Sequence, residues 1–306
     1  MSEPLADRPP TIDPVAARRW ERIAPKASPW LHEEVGSRMV QRLSWIRRQP
    51  DSWVNWDATR GGRKAHASIL RQYPKVRLYG SKEAVSDPAG AHAHGQPSWW
   101  HPSRWLGRGG PPPAAPARGV DFLWANMILH SSCDPRSLIA AWHRALGVDG
   151  FLMFSCLGPD SLLEIRQLYA ELGWPPAGHE LTDMHDWGDM LVQAGFAEPV
   201  MDMERMTLSY KDPARLLLEL RELGRNFHPA RFPGLRARLW RERLTEHLQR
   251  SLARPEADGR MALSFEIIYG HAFKPAPRPR MGPETSVSVD EMRAVLQRSR
   301  GSSRQR

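Results

Sequence analysis

Residues 120–156, VDFLWANMILHSSCDPRSLIAAWHRALGVDGFLMFSC, contain the signals of a strand, a helix and a second strand. The apolar segment Val120–Ala125 predicts the first strand. Asp134-Pro135 is typical of a helix start, with an N-cap residue before a proline, and Gly147 is predicted to end that helix. The uninterrupted apolar run Gly150–Cys156 predicts a buried strand. This order of elements favours a parallel sheet.

The preceding part of the chain repeats the same order. Trp53–Trp56 is apolar and prone to form a strand, with Asp57 at its end and two glycines shortly after. A helix over 63–72 and a short strand at Lys75–Tyr79 follow. Residues 12–48 show apolar side chains at spacings of three and four, which predicts helices.

The later part of the chain adds helices and two long strands. Helices are predicted over Ser161–Leu172 and Asp183–Ala194, and strands over Val200–Tyr210 and Ser264–Phe273. Residues 211–260, between these strands, carry a helical pattern that predicts a cap. The whole predicts a three-layer α/β sandwich with a helical cap.

Composition divides the chain into four regions. We interpret residues 1–50 as an N-terminal helical segment and 51–274 as the main domain. Residues 86–119, inside that domain, are rich in proline, glycine and tryptophan and predict an irregular insertion. The polar, proline- and arginine-rich residues 275–306 predict a disordered tail.

The composition also limits the function classes. The 306 residues carry 43 Lys+Arg against 34 Asp+Glu, a net charge of +9. Only two cysteines occur, without metal-ligand spacing, and His92, His94 and His101 lack supporting ligands, so we expect no metal site. No apolar run reaches the ~18 residues of a spanning helix and no secretory signal is present, so we expect a cytoplasmic protein without a membrane partner. Charge alone is weak evidence for a nucleic-acid partner.

Four stretches carry a resemblance to a known family. They are WLHEEVGSRMVQRLSWIRRQP (30–50), VDFLWANMILHSSCDPRSLIAAWHRALGVDGFLMFSCLGPDSLLEIR (120–166), TDMHDWGDMLVQAGFAEPVMDMERMTLSY (182–210) and SFEIIYGHAFKP (264–275). They resemble the biotin-pathway malonyl-[acyl-carrier protein] O-methyltransferases, which use S-adenosylmethionine (SAM). The phrases GPDSLLEIR and MHDWGDMLVQAGFAEPVMDME are specific to that family.

The resemblance implies a class I methyltransferase fold, with a mostly parallel seven-strand sheet whose last strand is antiparallel. It also implies a malonyl thioester on acyl carrier protein as substrate, with a methyl group passing from SAM to the free carboxylate. That carboxylate is ionised at neutral pH, so the reaction needs no general base. Catalysis then consists of holding the oxygen in line and excluding water.

The SAM-binding loop departs from the family's D-x-G-x-G-x-G pattern. An ungapped alignment places the pattern on residues 57–63, where Asp57 and Gly61 match. Thr59 and Arg63 replace the first and third glycines, and a β-branched Thr59 is costly wherever φ must be positive. Asp57 either contacts the cofactor or caps the turn.

Further SAM contacts are expected from two other loops. The acidic residue that would hold the ribose hydroxyls falls on Lys82, which has no acceptor, and the adjacent Glu83 is the substitute. Asn126, at the end of a strand, either lines the active site or forms a turn. The predicted cofactor-binding residues are therefore Asp57, Thr59, Gly61, Glu83 and Asn126.

Four residues are candidates for the substrate or partner. Arg166 and Arg221 bind a carboxylate or phosphopantetheine group, or else form surface salt bridges. His185 lies in a family phrase without an assigned role. Arg243 belongs to a seven-residue repeat with Arg236 and Arg250, which is either a solvated face or a docking site for an acidic carrier protein.

Three functions remain open at this stage. The first is an active O-methyltransferase on a malonyl thioester. The second is a catalytically inactive homologue that keeps the carrier-protein surface and acts as a binding or regulatory protein. The third is a basic nucleic-acid-binding protein, which has no reader motif to support it.

Overall fold

One mixed sheet of seven strands organises the described part of the chain. The computed structural model describes residues 12–79, 116, 118–254 and 258–277. The strands in these ranges are β1 (Ser52–Asn55), β2 (Arg77–Tyr79), β3 (Val120–Ala125), β4 (Leu146–Leu157), β5 (Ala197–Tyr210), β6 (Ala253–Arg254) and β7 (Arg260–Phe273).

Eight α-helices lie in the same ranges. They are α1 (Pro14–Ile23), α2 (Trp30–Leu43), α3 (Arg63–Gln72), α4 (Pro135–Ala145), α5 (Leu163–Glu171), α6 (Met184–Gln193), α7 (Pro213–Leu223) and α8 (Arg238–Leu252). The predicted start of α4 is confirmed, because Asp134 accepts a hydrogen bond from the Ser137 amide at 3.0 Å and proline follows it. Asp212 caps α7 in the same way.

The strand order is β2-β1-β3-β4-β7-β5, with β6 paired to β7. Neighbours from β2 to β4 run parallel, whereas β7 runs antiparallel to β4, β5 and β6. The predicted mostly parallel seven-strand sheet with an antiparallel last strand is therefore confirmed. Because β7 lies between β4 and β5, it pairs with β4, which is more than 100 residues earlier in the sequence. No local sequence pattern encodes such a pairing.

Two hydrophobic cores cover the two faces of the sheet. Because side chains alternate along a strand, Phe122 and Trp124 of β3 enter one core while Leu123 and Ala125 enter the other. Helices α2, α3, α5, α7 and α8 pack on the first face, and α4 and α6 pack on the second. The predicted three-layer sandwich follows from this division.

The N-terminal helices belong to the same unit as the sheet. Val35, Met39 and Leu43 of α2 are fully buried in the first core. The described residues up to Pro275 belong to one compact unit. Most of the predicted insertion and tail, and Lys82 and Glu83, lie outside the described residues.

The predicted cap differs from the structure in its helical content. Residues 211–260 contain α7 and α8, but the segment 224–237 between them is not helical. Arg236 therefore precedes α8 and does not share a helical face with Arg243 and Arg250, contrary to the predicted repeat. Gly147 lies in β4 rather than after α4, because the strand begins directly at the end of the helix.

Candidate functional site

The carboxyl ends of β1, β3 and β4 meet at one edge of the sheet, since these three strands are parallel. β1 lies between β2 and β3 in the sheet. The chain passes from β1 to β2 on one side of β1, and it later returns to form β3 on the other side. Open α/β sheets bind their ligands at such a switch point. The loops that begin at Trp56, Asn126 and Gly158 therefore form the candidate site.

Asp57 closes a tight turn after β1. Its Oδ1 accepts hydrogen bonds from the amides of Thr59 (3.1 Å) and Arg60 (3.0 Å), and its carbonyl accepts from the Gly61 amide at 2.8 Å. A Cβ atom on residue 61 would lie 2.5 Å from the Asp57 carbonyl oxygen, so only glycine fits there. Of the two roles considered for Asp57, the described contacts are those of a turn cap.

The glycine that adopts a positive φ is Gly62, at +93°, immediately before α3. Thr59 does not have a positive φ, and Arg63 is already the first residue of the helix. The prediction that Thr59 would strain the backbone of this loop is therefore wrong. The turn needs its glycines at 61 and 62, which the sequence retains.

Side chains before and within α2 bind the rest of the loop. Ser28 Oγ accepts from the Gly62 amide at 3.1 Å. Glu33 accepts from the Arg63 amide (2.8 Å) and the Lys64 amide (2.9 Å), one with each carboxylate oxygen, which places a negative charge at the positive end of α3. All six consecutive backbone amides from 59 to 64 thus have an acceptor within the chain.

Arg60 connects this loop to two other segments. Its Nη1 donates to the Pro25 carbonyl at 2.9 Å and its Nη2 to the Glu222 carbonyl at 2.7 Å. The guanidinium carbon also lies 5.0 Å from the centre of the Trp20 ring, within cation–π range. Burial lowers the pKa of Arg60, and the neighbouring Arg225 lowers it further, but Arg60 stays charged.

Asn126 supports the loop from the end of β3 and is only 1% exposed. Its Nδ2 donates to the carbonyls of His32 (2.8 Å) and Gly61 (3.0 Å), and its Oδ1 accepts from Ser155 Oγ at 2.6 Å. Each polar atom of this amide thus has a partner in the protein. As arranged here, the amide joins α2, the loop and β4.

Two histidines, His32 and His130, supply polar atoms at the same edge. His32 Nδ1 lies 2.9 Å from the Arg60 carbonyl, which can only accept, so Nδ1 carries the proton. Burial lowers the pKa of His32 to about 4, so the ring is neutral at pH 7. Its Nε2 is then a bare acceptor, buried and without a hydrogen-bond partner among the described residues.

His130 has the opposite tautomer. The Leu157 amide donates to its Nδ1 at 3.3 Å, so the proton of the neutral ring is on Nε2. Burial lowers the pKa of His130 well below its usual value, and His179 and His32 contribute to the same shift. The edge therefore presents one imidazole acceptor and one imidazole donor at neutral pH.

The remaining predicted residues have local contacts. Arg166 Nη1 donates to the Pro159 carbonyl at 2.7 Å, which braces the turn after β4. His185 is exposed at the start of α6, with its Nδ1 2.6 Å from Asp183. Arg221 and Arg243 are exposed on α7 and α8, and neither side chain has an ion pair within the described ranges.

Sequence reasoning missed four residues that hold the loop: Ser28, His32, Glu33 and Arg60. The partners of their side-chain hydrogen bonds are 28 to 35 positions away along the chain, except for the Glu222 carbonyl bound by Arg60, which is 162 positions away. The only signal was the family-like stretch that starts at Trp30. Within the described ranges, no group of three His, Cys, Asp or Glu residues is arranged to hold a metal ion.

The loop in this conformation does not fit SAM. The cofactor offers acceptor oxygens and a sulfonium cation, but the amides 59–64 are already bonded to Asp57, Ser28 and Glu33. Arg60 places a positive charge beside the same loop, which disfavours a cation. The ribose-binding positions lie outside the described residues.

The strand order, with antiparallel β7 between β4 and β5, and the loop-to-helix turn after β1 define a class I methyltransferase-like α/β protein. The solved structures to which the chain is similar include a SAM-dependent methyltransferase from Archaeoglobus fulgidus, 10% identical, with a TM-score of 0.38 over 79% of this chain and 94% of that one. The [4+2]-cyclase SpnF is 12% identical, with a TM-score of 0.42 over 88% and 97%.

Curated relatives identify the family. A malonyl-[acyl-carrier protein] O-methyltransferase from Gallionella capsiferriformans is 37% identical over 259 residues, which cover 82% of this chain and 87% of the relative. The enzyme of the same name from Nitrosospira multiformis is 31% identical over 293 residues, covering 88% and 91%. The chain belongs to the malonyl-[acyl-carrier protein] O-methyltransferase family, as its resemblance predicted.

No family model matches the chain. In the part of the chain that the structure describes, every helix is too short or too polar to cross a bilayer.

Proposed function

We propose that this chain binds the family's substrate, a malonyl thioester on acyl carrier protein, and that its SAM-dependent methyl transfer is weak or lost. The observation that carries the proposal is the closed loop, in which every amide from 59 to 64 already has an acceptor. Family membership supports the substrate, and the loop geometry argues against the cofactor.

The cost of opening the loop can be estimated. A protein hydrogen bond contributes about 0.5–1.5 kcal/mol net, and a bond to a charged group about 1.5–3 kcal/mol. A ligand that takes the amides of Arg63 and Lys64 must first displace the Glu33 carboxylate, so it exchanges one charged acceptor for another and gains little. The affinity of SAM falls by about tenfold for each 1.4 kcal/mol that opening costs.

The histidine pair suits the substrate side of the proposal. The Nε2–H of His130 can donate to a thioester carbonyl or a carboxylate oxygen, both of which only accept. The Nε2 of His32 is a free acceptor, but it is buried, so a ligand N–H group would reach it only after the surrounding side chains move. Both rings are neutral at pH 7, so they orient a ligand by hydrogen bonding and add no charge.

A second candidate is an active O-methyltransferase whose loop opens when SAM binds. It is favoured by the 37% identity to an enzyme of that name over most of both chains. When bound, SAM would supply the methyl group to the malonyl carboxylate. This candidate requires acceptors outside the described residues, with Glu83 as the expected one.

Calorimetric titration with SAM, and with its demethylated product, separates the two candidates. We expect no heat up to about millimolar ligand from protein shown to be folded by circular dichroism, which corresponds to less than about 4 kcal/mol of binding free energy. Micromolar binding followed by methyl transfer to malonyl-acyl carrier protein would refute the weak-or-lost proposal and establish the second candidate. The Gallionella relative, purified in parallel, is the positive control.

A further inference from the structure

Residues 231–243, RFPGLRARLWRER, connect α7 to the first turns of α8 and hold five arginines against one glutamate. We call this segment the basic patch. The patch begins three residues after His228. Just before it, the Phe227 ring lies 5.4 Å from the ring of His179, and His179 lies beside the candidate site. A surface so placed can hold a macromolecule whose attached group enters the site.

The basic patch exposes large apolar side chains together with its charges. Leu235 is 100% exposed, Leu239 59% and Phe232 40%. Single exposed apolar residues are common on protein surfaces, but three within eight positions form a cluster of the kind that partners cover. Leu235 contributes nothing to the core, so packing does not account for it.

Arg236 is held in place among aromatic rings. Its guanidinium carbon lies 3.9 Å from the centre of the Phe232 ring and 4.5 Å from that of Trp240. Trp174 is 5.9 Å away on the same side. Among the described residues, Arg236 has no carboxylate partner. The cation–π contacts restrict its motion, which lowers the entropy cost of binding an anion.

The start of α8 is electrostatically unfavourable on its own. No acidic residue occurs in the first turn, and Ala237 at the N-cap gives no side-chain hydrogen bond. Arg238 and Arg241 instead add positive charge to the positive end of the helix dipole. Arg238 pairs with Glu242 at 2.9 Å, whereas Arg241 and Arg243 have no ion pair within the described ranges. An acidic partner would relieve this repulsion.

We propose that the basic patch is the docking surface for the acyl carrier protein, recognised as an acidic protein with exposed apolar residues. Arg241 and Arg243 would meet its carboxylates while Leu235 and Leu239 cover its apolar side chains. This inference rests on the proposed function, since it names the surface that receives the substrate's carrier. Nucleic acid is the less favoured occupant, because the apolar cluster has no role on a phosphate backbone.

The test compares two double charge reversals with the same change in net charge. Arg241→Glu/Arg243→Glu alters the basic patch, and Arg71→Glu/Lys75→Glu alters exposed positions near the opposite edge of the sheet. Binding of malonyl-holo-acyl carrier protein is measured by calorimetry at low salt, beside binding of malonyl-pantetheine. We expect at least tenfold weaker carrier binding for the first variant, about 1.4 kcal/mol, and less than twofold for the second.

Malonyl-pantetheine binding should be unchanged in both variants, because none of the four altered residues lies in the loops of the candidate site. The Tm of Arg241→Glu/Arg243→Glu should change little, since both side chains are exposed and neither has an ion pair within the described ranges. Equal carrier affinities for both variants would overturn the docking surface alone. Failure of the unaltered chain to bind either malonyl compound would overturn the proposed function. Arginine-dependent binding of RNA or DNA without carrier binding would show that the surface has the other occupant.

Discussion

Replacing Arg60 with alanine removes a side chain that joins the loop after β1 to both the segment after α1 and the end of α7. The guanidinium donates to the carbonyls of Pro25 and Glu222 and lies over Trp20. Arg60→Ala therefore leaves two carbonyls without this donor and removes one of the two guanidinium groups that lie over the Trp20 ring, the other being Arg225 at 4.8 Å.

The magnitude follows from these contacts. Each hydrogen bond from this half-buried guanidinium contributes about 1 kcal/mol, below the range for fully buried charged donors. The cation–π contact adds about 0.5 kcal/mol at a partly exposed site. The free energy of unfolding of Arg60→Ala should thus fall by about 2–3 kcal/mol. With a urea m-value of about 3 kcal/mol/M, the midpoint moves by roughly 0.8 M.

Urea unfolding followed by tryptophan fluorescence measures this change. Arg63→Ala is the matched control, because exposed Arg63 makes one described side-chain bond, to the Lys26 carbonyl at 2.9 Å, and should cost less than about 1 kcal/mol. The argument is refuted if Arg60→Ala unfolds within about 0.5 kcal/mol of the unaltered protein. It is also refuted if the two variants lose the same amount.

Three further predictions concern the same edge of the sheet. The free energy of unfolding should fall as the pH drops from about 6.5 to 4, because the pKa of His32, about 4 in the folded state, lies below its value in the unfolded state. His32 alone contributes a slope of up to about 1.4 kcal/mol per pH unit. His32→Gln should flatten this slope in urea titrations at several pH values. Asn126→Ala, which removes the donor to the His32 and Gly61 carbonyls and the acceptor for the buried Ser155 hydroxyl, should cost about 2–4 kcal/mol by the same unfolding assay. Thr59→Gly/Arg63→Gly/Lys82→Asp should raise SAM affinity at least tenfold, about 1.4 kcal/mol, by calorimetry.

Each of these predictions has a matched comparison. Gln in place of His32 keeps a polar side chain that does not titrate, so an unchanged slope would assign the acid sensitivity to other groups. Gln193→Ala, at an exposed position on α6, is the control for Asn126, and equal losses would contradict the bracing role. Unchanged SAM affinity in the triple variant would mean that the alignment of the family motif to residues 57–63 is wrong.

Much of the sheet could be predicted because its strands have simple local patterns. Val120–Ala125 was predicted with its observed bounds, and the apolar run after Gly150 lies inside the longer β4. Helix α3 matches its predicted range of 63–72. The predicted boundary was wrong where glycine was taken as the end of a helix: Gly147 was placed at the end of α4, but it lies in β4.

The candidate site was only partly predictable. Asp57 and Gly61 were expected to contact a cofactor, but their described contacts belong to a self-contained turn. The contacts of Glu33 and Ser28 with the loop could not be predicted from the sequence, since a carboxylate or hydroxyl in a helical segment is usually exposed to solvent. Their role depends on where α2 docks, and that depends on the first core as a whole.

The sequence by itself determined the family, the order of strands and helices, and the loss of glycines from the cofactor loop. These properties are local, because they depend on hydrophobic periodicity, capping residues and matched stretches of chain. Only the tertiary structure decided that the loop is closed by Glu33, Ser28, Arg60 and Asn126, and that Arg236 leaves the row with Arg243. Those contacts join segments separated by up to 162 positions, and they form only when the cores on each face of the sheet bring the segments together.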